Sequence, residues 1–150
     1  YLCRKNFDLS VFEKESIDLV FSRAAFEHFA NVEKAISQLT KAVVPGAILI
    51  AEIDLQAHTR WLRNADPLNI YKYSDFVYNL FKFSGSPNRL RPFEYEEILE
   101  KNGWSNIQIL PLTVLAEDYI LKVRSALNQR FQDQINQMSY LSLVLCATKK

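Results

Sequence analysis

Unbroken apolar runs alternate along the chain with stretches in which apolar residues recur every three or four positions. Residues 17–22 (Ile-Asp-Leu-Val-Phe-Ser) are apolar nearly throughout and predict a buried strand. Asn31 then reads as a helix N-cap, followed by Val32, Ala35, Ile36, Leu39, Ala42 and Val43 on one helical face. Pro45-Gly46 is expected to end that helix, and residues 47–53 to form the next buried strand. Strand, helix and strand in this order, with both strands apolar, predict a right-handed βαβ unit of a parallel sheet. Upstream, residues 1–8 read as a short strand plus loop.

The pattern changes over residues 55–91. This stretch is rich in aromatics (Trp61, Tyr71, Tyr73, Phe76, Tyr78, Phe81, Phe83), with one helical segment at 73–83 and a turn at 84–88. It is expected to be an insertion or lid over the sheet edge within a single domain, 1–150. Pro92 opens a predicted helix to about Asn102, with Gly103 past its end. Residues 105–112 alternate as a strand, and 116–137 read as one long amphipathic helix through Tyr119, Ile120, Val123, Leu127 and Phe131. Residues 140–148 are a last buried strand.

Composition narrows the function classes. The 150 residues suit one domain or a large part of one, and 49% hydrophobic with 23% charged is a globular balance. A net charge of +1 gives no reason to expect nucleic acid or an acidic membrane as partner. Cys3 and Cys146 stand near opposite ends without a CxxC pair, so a reducing, cytoplasmic setting is expected. The longest apolar run falls far short of the ~20 residues that cross a bilayer. The chain opens at Tyr1 on strand-like sequence, which is read as a sign of missing upstream material.

Three ordered pieces carry a family resemblance: residues 17–22, then Ala25-Phe26-Glu27-His28-Phe29, then Ala42-Val43-Val44-Pro45-Gly46-Ala47-Ile48-Leu49-Ile50. They resemble the central part of a class I S-adenosylmethionine-dependent methyltransferase of the type 11 kind. Glu94 to Gly103-Trp104 is similar to that family's helix and turn before its closing strands. The resemblance implies an α/β, Rossmann-like sheet, mostly parallel with an antiparallel last strand and with the N-terminal strands missing. It implies S-adenosylmethionine as cofactor and methylation of a small molecule or glycan. Asp54 to His58, Tyr73 to Asp75 and Asn88 to Arg91 resemble a subgroup associated with microbial polysaccharide and secondary-product gene clusters. One departure is large. The only glycines are Gly46, Gly85 and Gly103, and none belongs to the loop that lets backbone approach the cofactor. The chain is therefore expected to be the substrate-side half, inactive alone. The alternative is a truncated, non-catalytic interaction module, pairing through an exposed sheet edge as a homo-oligomer or with another chain.

By resemblance, Asn6 and Phe7 match the position that contacts the adenine amino group, with Asp8 as the fallback register. Ser22 and Arg23 fall at the C-terminal end of a strand, where parallel sheets present ligand-binding groups. His28 follows closely and can accept a proton at neutral pH, with Glu27 as orienter or solvated carboxylate. Asp54 and His58 follow the next strand. Their spacing of four would place them on one face of a helical turn, and a carboxylate raises imidazole basicity. They are the preferred general-base pair. Arg89 and Arg91, flanking Leu90 in an extended stretch, would point to one side and clamp a carboxylate or phosphate, or else pair with nearby acids. The aromatics of 61–83 serve either to stack on substrate or as the core of the lid. Two features are set aside. Tyr78 and Lys82 have the spacing of short-chain dehydrogenases but lack that family's other motifs. His28 and His58 are too few and too distant in sequence, without cysteines, to argue for a metal.

Overall fold

A computed structural model describes residues 8–133 and 135–150. The expected strand at 1–8 and the positions Asn6 and Phe7 therefore lie outside the described residues, apart from Asp8. Asp8 is exposed and accepts hydrogen bonds from Ser10 and Gln38.

Four strands form one sheet: β1 (Ile17–Arg23), β2 (Val43–Asp54), β3 (Trp104–Val114) and β4 (Tyr140–Lys149), in the spatial order β1-β2-β4-β3. β1 and β2 are parallel, and β4 lies between β2 and β3, antiparallel to both. Three strands thus run one way and the last runs against them, as the resemblance implied. β4 alternates buried and half-buried residues, so Leu141, Leu143, Leu145 and Ala147 face one side.

The helix α1 (Val32–Ala42) makes the β1–β2 crossover, capped by Asn31, whose side chain accepts from the Lys34 amide at 2.8 Å. It ends at Ala42, earlier than Pro45-Gly46 suggested. Val43 is already extended and pairs with Ile17, and the pairing resumes at Ile48 opposite Leu19. Proline disfavours a helical residue before it, and Gly46 at φ 83 absorbs the irregularity between the two pairs. The helix α4 (Pro92–Lys101) joins α1, β2 and β4 in the main core, centred on Ile36, Leu39, Leu49, Tyr95, Leu99 and Trp104. The Trp104 indole donates to Thr40 Oγ1 at 2.8 Å, tying the start of β3 to α1.

The expected long helix at 116–137 is instead a series of short turns: α5 (Glu117–Val123), a 3-10 turn (Arg124–Ala126), α6 (Gln129–Gln132) and α7 (Ile135–Met138). Leu127 and Asn128 are extended, and the Asn128 side chain accepts from the Arg130 amide while its own amide donates to the Tyr71 carbonyl. Asparagine's local bonds compete with helix continuation. Residues 55–91 hold α2 (Arg60–Ala65), a 3-10 turn (Asn69–Tyr71) and α3 (Asp75–Phe81), the last starting at the Ser74 cap. Ala57, Leu68, Ile70 and Tyr71 of this stretch share a second core with Ile120, Leu127, Phe131, Met138 and Leu141. The aromatic segment is thus packed jointly with the chain between β3 and β4.

Candidate functional site

The parallel register sets Ser22 beside Ala51 and Arg23 beside Glu52, so β1 and β2 end at the same edge. The chain leaving β1 makes the 3-10 turn Phe26–His28, and the chain leaving β2 bends through Asp54 to His58. Open α/β sheets bind ligands outside such carboxyl ends.

His28 and His58, one from each strand end, meet edge to face with ring centroids 4.9 Å apart and planes at 67°. Asp54 Oδ2 lies 3.8 Å from His58 Nε2 and accepts from Arg63 Nη1 at 2.7 Å. The predicted Asp54–His58 pairing is present, although the link is a bend and not a helical turn. Burial lowers the His58 pKa, and this outweighs the Asp54 carboxylate, which pulls it up. A lowered pKa favours the neutral ring, the form that accepts a proton.

Glu27 sits in this cluster at 1% exposure. Neither carboxylate oxygen has a hydrogen-bond partner among the described residues, and the same holds for His28 Nδ1 and His58 Nε2. Burial pushes the Glu27 carboxyl up to about 7; the nearby Glu27 and Asp54 amides oppose this without forming a well-directed bond, while the Asp54 charge reinforces it. The sequence suggested a solvated or orienting carboxylate here. The burial has one sequence signal, an acid inside the apolar run Ala25 to Phe29.

His58 borders a 390 Å³ cavity whose walls include Tyr73, Tyr78, Phe81 and Phe83. His28 borders an adjoining 270 Å³ cavity shared with Asp75, Lys82 and Arg89. Asn88 holds the wall to the His28 turn: its amide donates to the Glu27 carbonyl at 2.6 Å, and its side chain donates to the Phe26 and Phe29 carbonyls at 2.8 and 3.3 Å. The Tyr78 hydroxyl donates to the Pro87 carbonyl at 2.5 Å. Trp61, at 86% exposure, points away from any core.

Ser22 is half-buried and opens on a shallow apolar cleft of about 300 Å³ with Leu9, Ile17, Phe26 and Phe29. Arg23 is exposed and pairs with Glu52 at 3.2 Å.

Arg89 and Arg91 are placed differently from the sequence expectation. Arg89 is not extended but has φ 68, and its guanidinium donates to the Ile70 and Tyr73 carbonyls at 2.8 Å and to Asp75. It also lies over the Tyr78 ring. Arg91 is completely buried and donates to the Tyr71 hydroxyl and to the Gln137 and Tyr140 carbonyls. Both guanidiniums face protein acceptors. Arg89 thus pairs with the acid Asp75, whereas Glu94, the acid nearest in sequence, accepts from the Arg91 amide at 2.8 Å and pairs with Arg130.

Residues 1–51 match the family described as methyltransferase domain. No curated protein matches in sequence. Among solved structures, Haemonchus contortus phosphoethanolamine N-methyltransferase 2 in complex with S-adenosylmethionine is similar over 95% of this chain and 36% of its own, with TM-score 0.55 and 18% identity. A SAM-dependent methyltransferase from Thermotoga maritima is similar over 99% of this chain and 63% of its own, with TM-score 0.59 and 13% identity. One from Archaeoglobus fulgidus matches over 99% and 66%, with TM-score 0.59 and 12% identity. The chain thus spans about a third of the Haemonchus enzyme and about two thirds of the other two. At these identities the likeness concerns the fold. The described chain has the class I methyltransferase-like fold, and its first 51 residues match the methyltransferase domain family.

Proposed function

We propose that the chain is the substrate-side part of an S-adenosylmethionine-dependent methyltransferase acting on a small molecule or glycan. The observation that carries this is the convergence of His28, Asp54 and His58 at the common end of β1 and β2, against an aromatic-walled cavity.

The described residues fit one side of the cofactor. Ser22 and Arg23, at the end of β1, would hold it, with the apolar cleft beside Ser22 as wall. Gly46, Gly85 and Gly103 lie in β2, in a turn and after α4, so none supplies a cradling loop. Bound there, the cofactor supplies an electrophilic methyl group on a sulfonium. The cavity holds the acceptor, its rings suited to the apolar face of a sugar or an aromatic group. His58, neutral and beside Asp54, takes the proton from the acceptor hydroxyl or amine as it attacks. Asp54 stabilises the resulting imidazolium and fixes the ring. Arg89 acts as a positioning residue that holds the wall of the smaller cavity, and Arg91 braces the core behind it.

The test is methyl transfer to a panel of alcohols, amines and glycans, using the longest natural polypeptide that carries residues 1–150. His58→Asn is expected to lower kcat by about 10²–10⁴-fold with little change in cofactor affinity. Full activity in both His58→Asn and His28→Asn removes the reading. The 150 residues alone are expected to bind S-adenosylmethionine weakly, and tight binding in calorimetry contradicts the one-sided fit.

A second reading, a non-catalytic interaction module, draws on β1. Its outer edge is unpaired among the described residues, and Phe21 on it is 71% exposed. An unpaired apolar edge is a template for another strand. Light scattering that finds a monomer, together with methyl transfer by the longer polypeptide, excludes it.

A further inference from the structure

Three side chains at the end of β1 and β2 are left with unmet chemistry. Glu27 is buried with both oxygens unpartnered among the described residues, and His28 and His58 each bury a ring nitrogen in the same condition. A buried carboxylate without a hydrogen bond is costly, and structures tolerate it where a proton or a cation compensates. One ligand-capable atom from each of the three lies within 4.8 Å of the others. Around a tetrahedral ion with bonds of ~2.1 Å, ligand atoms sit about 3.4 Å apart. Side-chain shifts on the order of 1 Å therefore close the set.

We propose that Glu27, His28 and His58 bind one divalent transition-metal ion of the zinc class, leaving at least one coordination position open. Two imidazoles and one carboxylate suit this class, whereas magnesium and calcium prefer all-oxygen shells. Imidazole binds such an ion through one neutral ring nitrogen and leaves the other free to donate a hydrogen bond. Asp54, 3.8 Å from His58 Nε2 and anchored on Arg63, adds negative charge beside the ion without joining the three. His58 lines one cavity and His28 the other, so a ligand lodged in either lies beside one of the two rings. With the ion bound, His58 is a ligand and no longer the base; a hydroxyl on the open position would instead be acidified by the ion, lose its proton to solvent and become a stronger nucleophile. That last consequence rests on the methyl-transfer reading; the binding does not.

The distance in sequence between His28 and His58 argued against a metal. The parallel pairing of β1 and β2 removes that distance.

The experiment is titration of the chelator-stripped chain with Co²⁺ alone, followed by visible absorption and by proton NMR. The chain has only two histidines, so paramagnetically shifted imidazole N–H signals can come only from His28 and His58. The expected result is saturation at one equivalent, shifted signals from both rings, and displacement by Zn²⁺. His58→Ala and Glu27→Gln are each expected to weaken Co²⁺ binding at least tenfold while circular dichroism stays unchanged. Absence of shifted imidazole signals overturns the proposal, as does thiolate-to-cobalt absorption without them. Equal affinity in folded His58→Ala also overturns it. The unmutated chain decides the matter even where a variant fails to fold. Since neither cofactor nor acceptor is present, failure here leaves the methyl-transfer reading standing, and metal binding without methyl transfer separates the two the other way.

Discussion

Arg91 lies with its guanidinium carbon 4.9 Å from the centre of the Tyr71 ring and donates to the Tyr71 hydroxyl at 3.2 Å. That hydroxyl in turn donates to the Leu55 carbonyl at 2.6 Å, just past β2. The buried cation thus links the end of β2 to the Gln137 carbonyl in α7 and to the Tyr140 carbonyl at the start of β4. Arg91→Met is expected to cost about 3 kcal/mol, since it strands buried acceptors. Arg91→Lys should cost a similar amount, because one ammonium cannot reproduce the planar fork. Urea denaturation measures both, and a loss below about 1 kcal/mol in each would show that the links carry little energy.

Glu27 gives stability a definite pH dependence in the metal-free chain. Its carboxyl titrates near 4.5 when unfolded and near 7 when folded, so the folded state binds the extra proton between these values. Stability therefore falls as pH rises from about 4.5 to about 7, by on the order of 3 kcal/mol, and levels off above. Denaturation with chelator present at several pH values reads this, and Glu27→Gln should flatten that part of the profile.

Asp54→Asn removes the group that draws the His58 pKa upward and leaves Arg63 uncompensated beside the ring. Both changes favour the neutral imidazole. An NMR titration of the His58 ring in chelator should show its midpoint moved to lower pH. A midpoint that rises or stays in place contradicts the pairing.

Asn31→Ala deletes the cap on α1 and should destabilise the chain by about 1 kcal/mol, with the β1–β2 pairing retained. Thermal unfolding checks the loss, and Asn31→Asp should recover most of it.

The first βαβ unit was legible because its signals are local and agree: an apolar strand, a cap at Asn31, a one-faced helix and an apolar strand. The 116–137 stretch misled for the opposite reason. Tyr119, Ile120, Val123, Leu127 and Phe131 keep helical spacing, yet all but Tyr119 and Val123 are fully buried in a core that broken turns fill as well. The break depends on Asn128 bonding to Tyr71, a contact that sequence spacing does not encode. Asp54 and His58 were readable as a pair because they are near neighbours in the chain. The proximity of His28 to His58 follows from strand register, and the inward turn of Arg89 follows from a positive φ that its residue type does not advertise.

Asn88 grips the carbonyls of Phe26, Glu27 and Phe29, and so fastens one cavity wall to the turn that bears His28. A guest that displaces this wall must drag the imidazole with it. Filling the hollow and setting the ring are then two readings of one lever, and by reciprocity whatever fixes the ring also shapes the hollow for its guest.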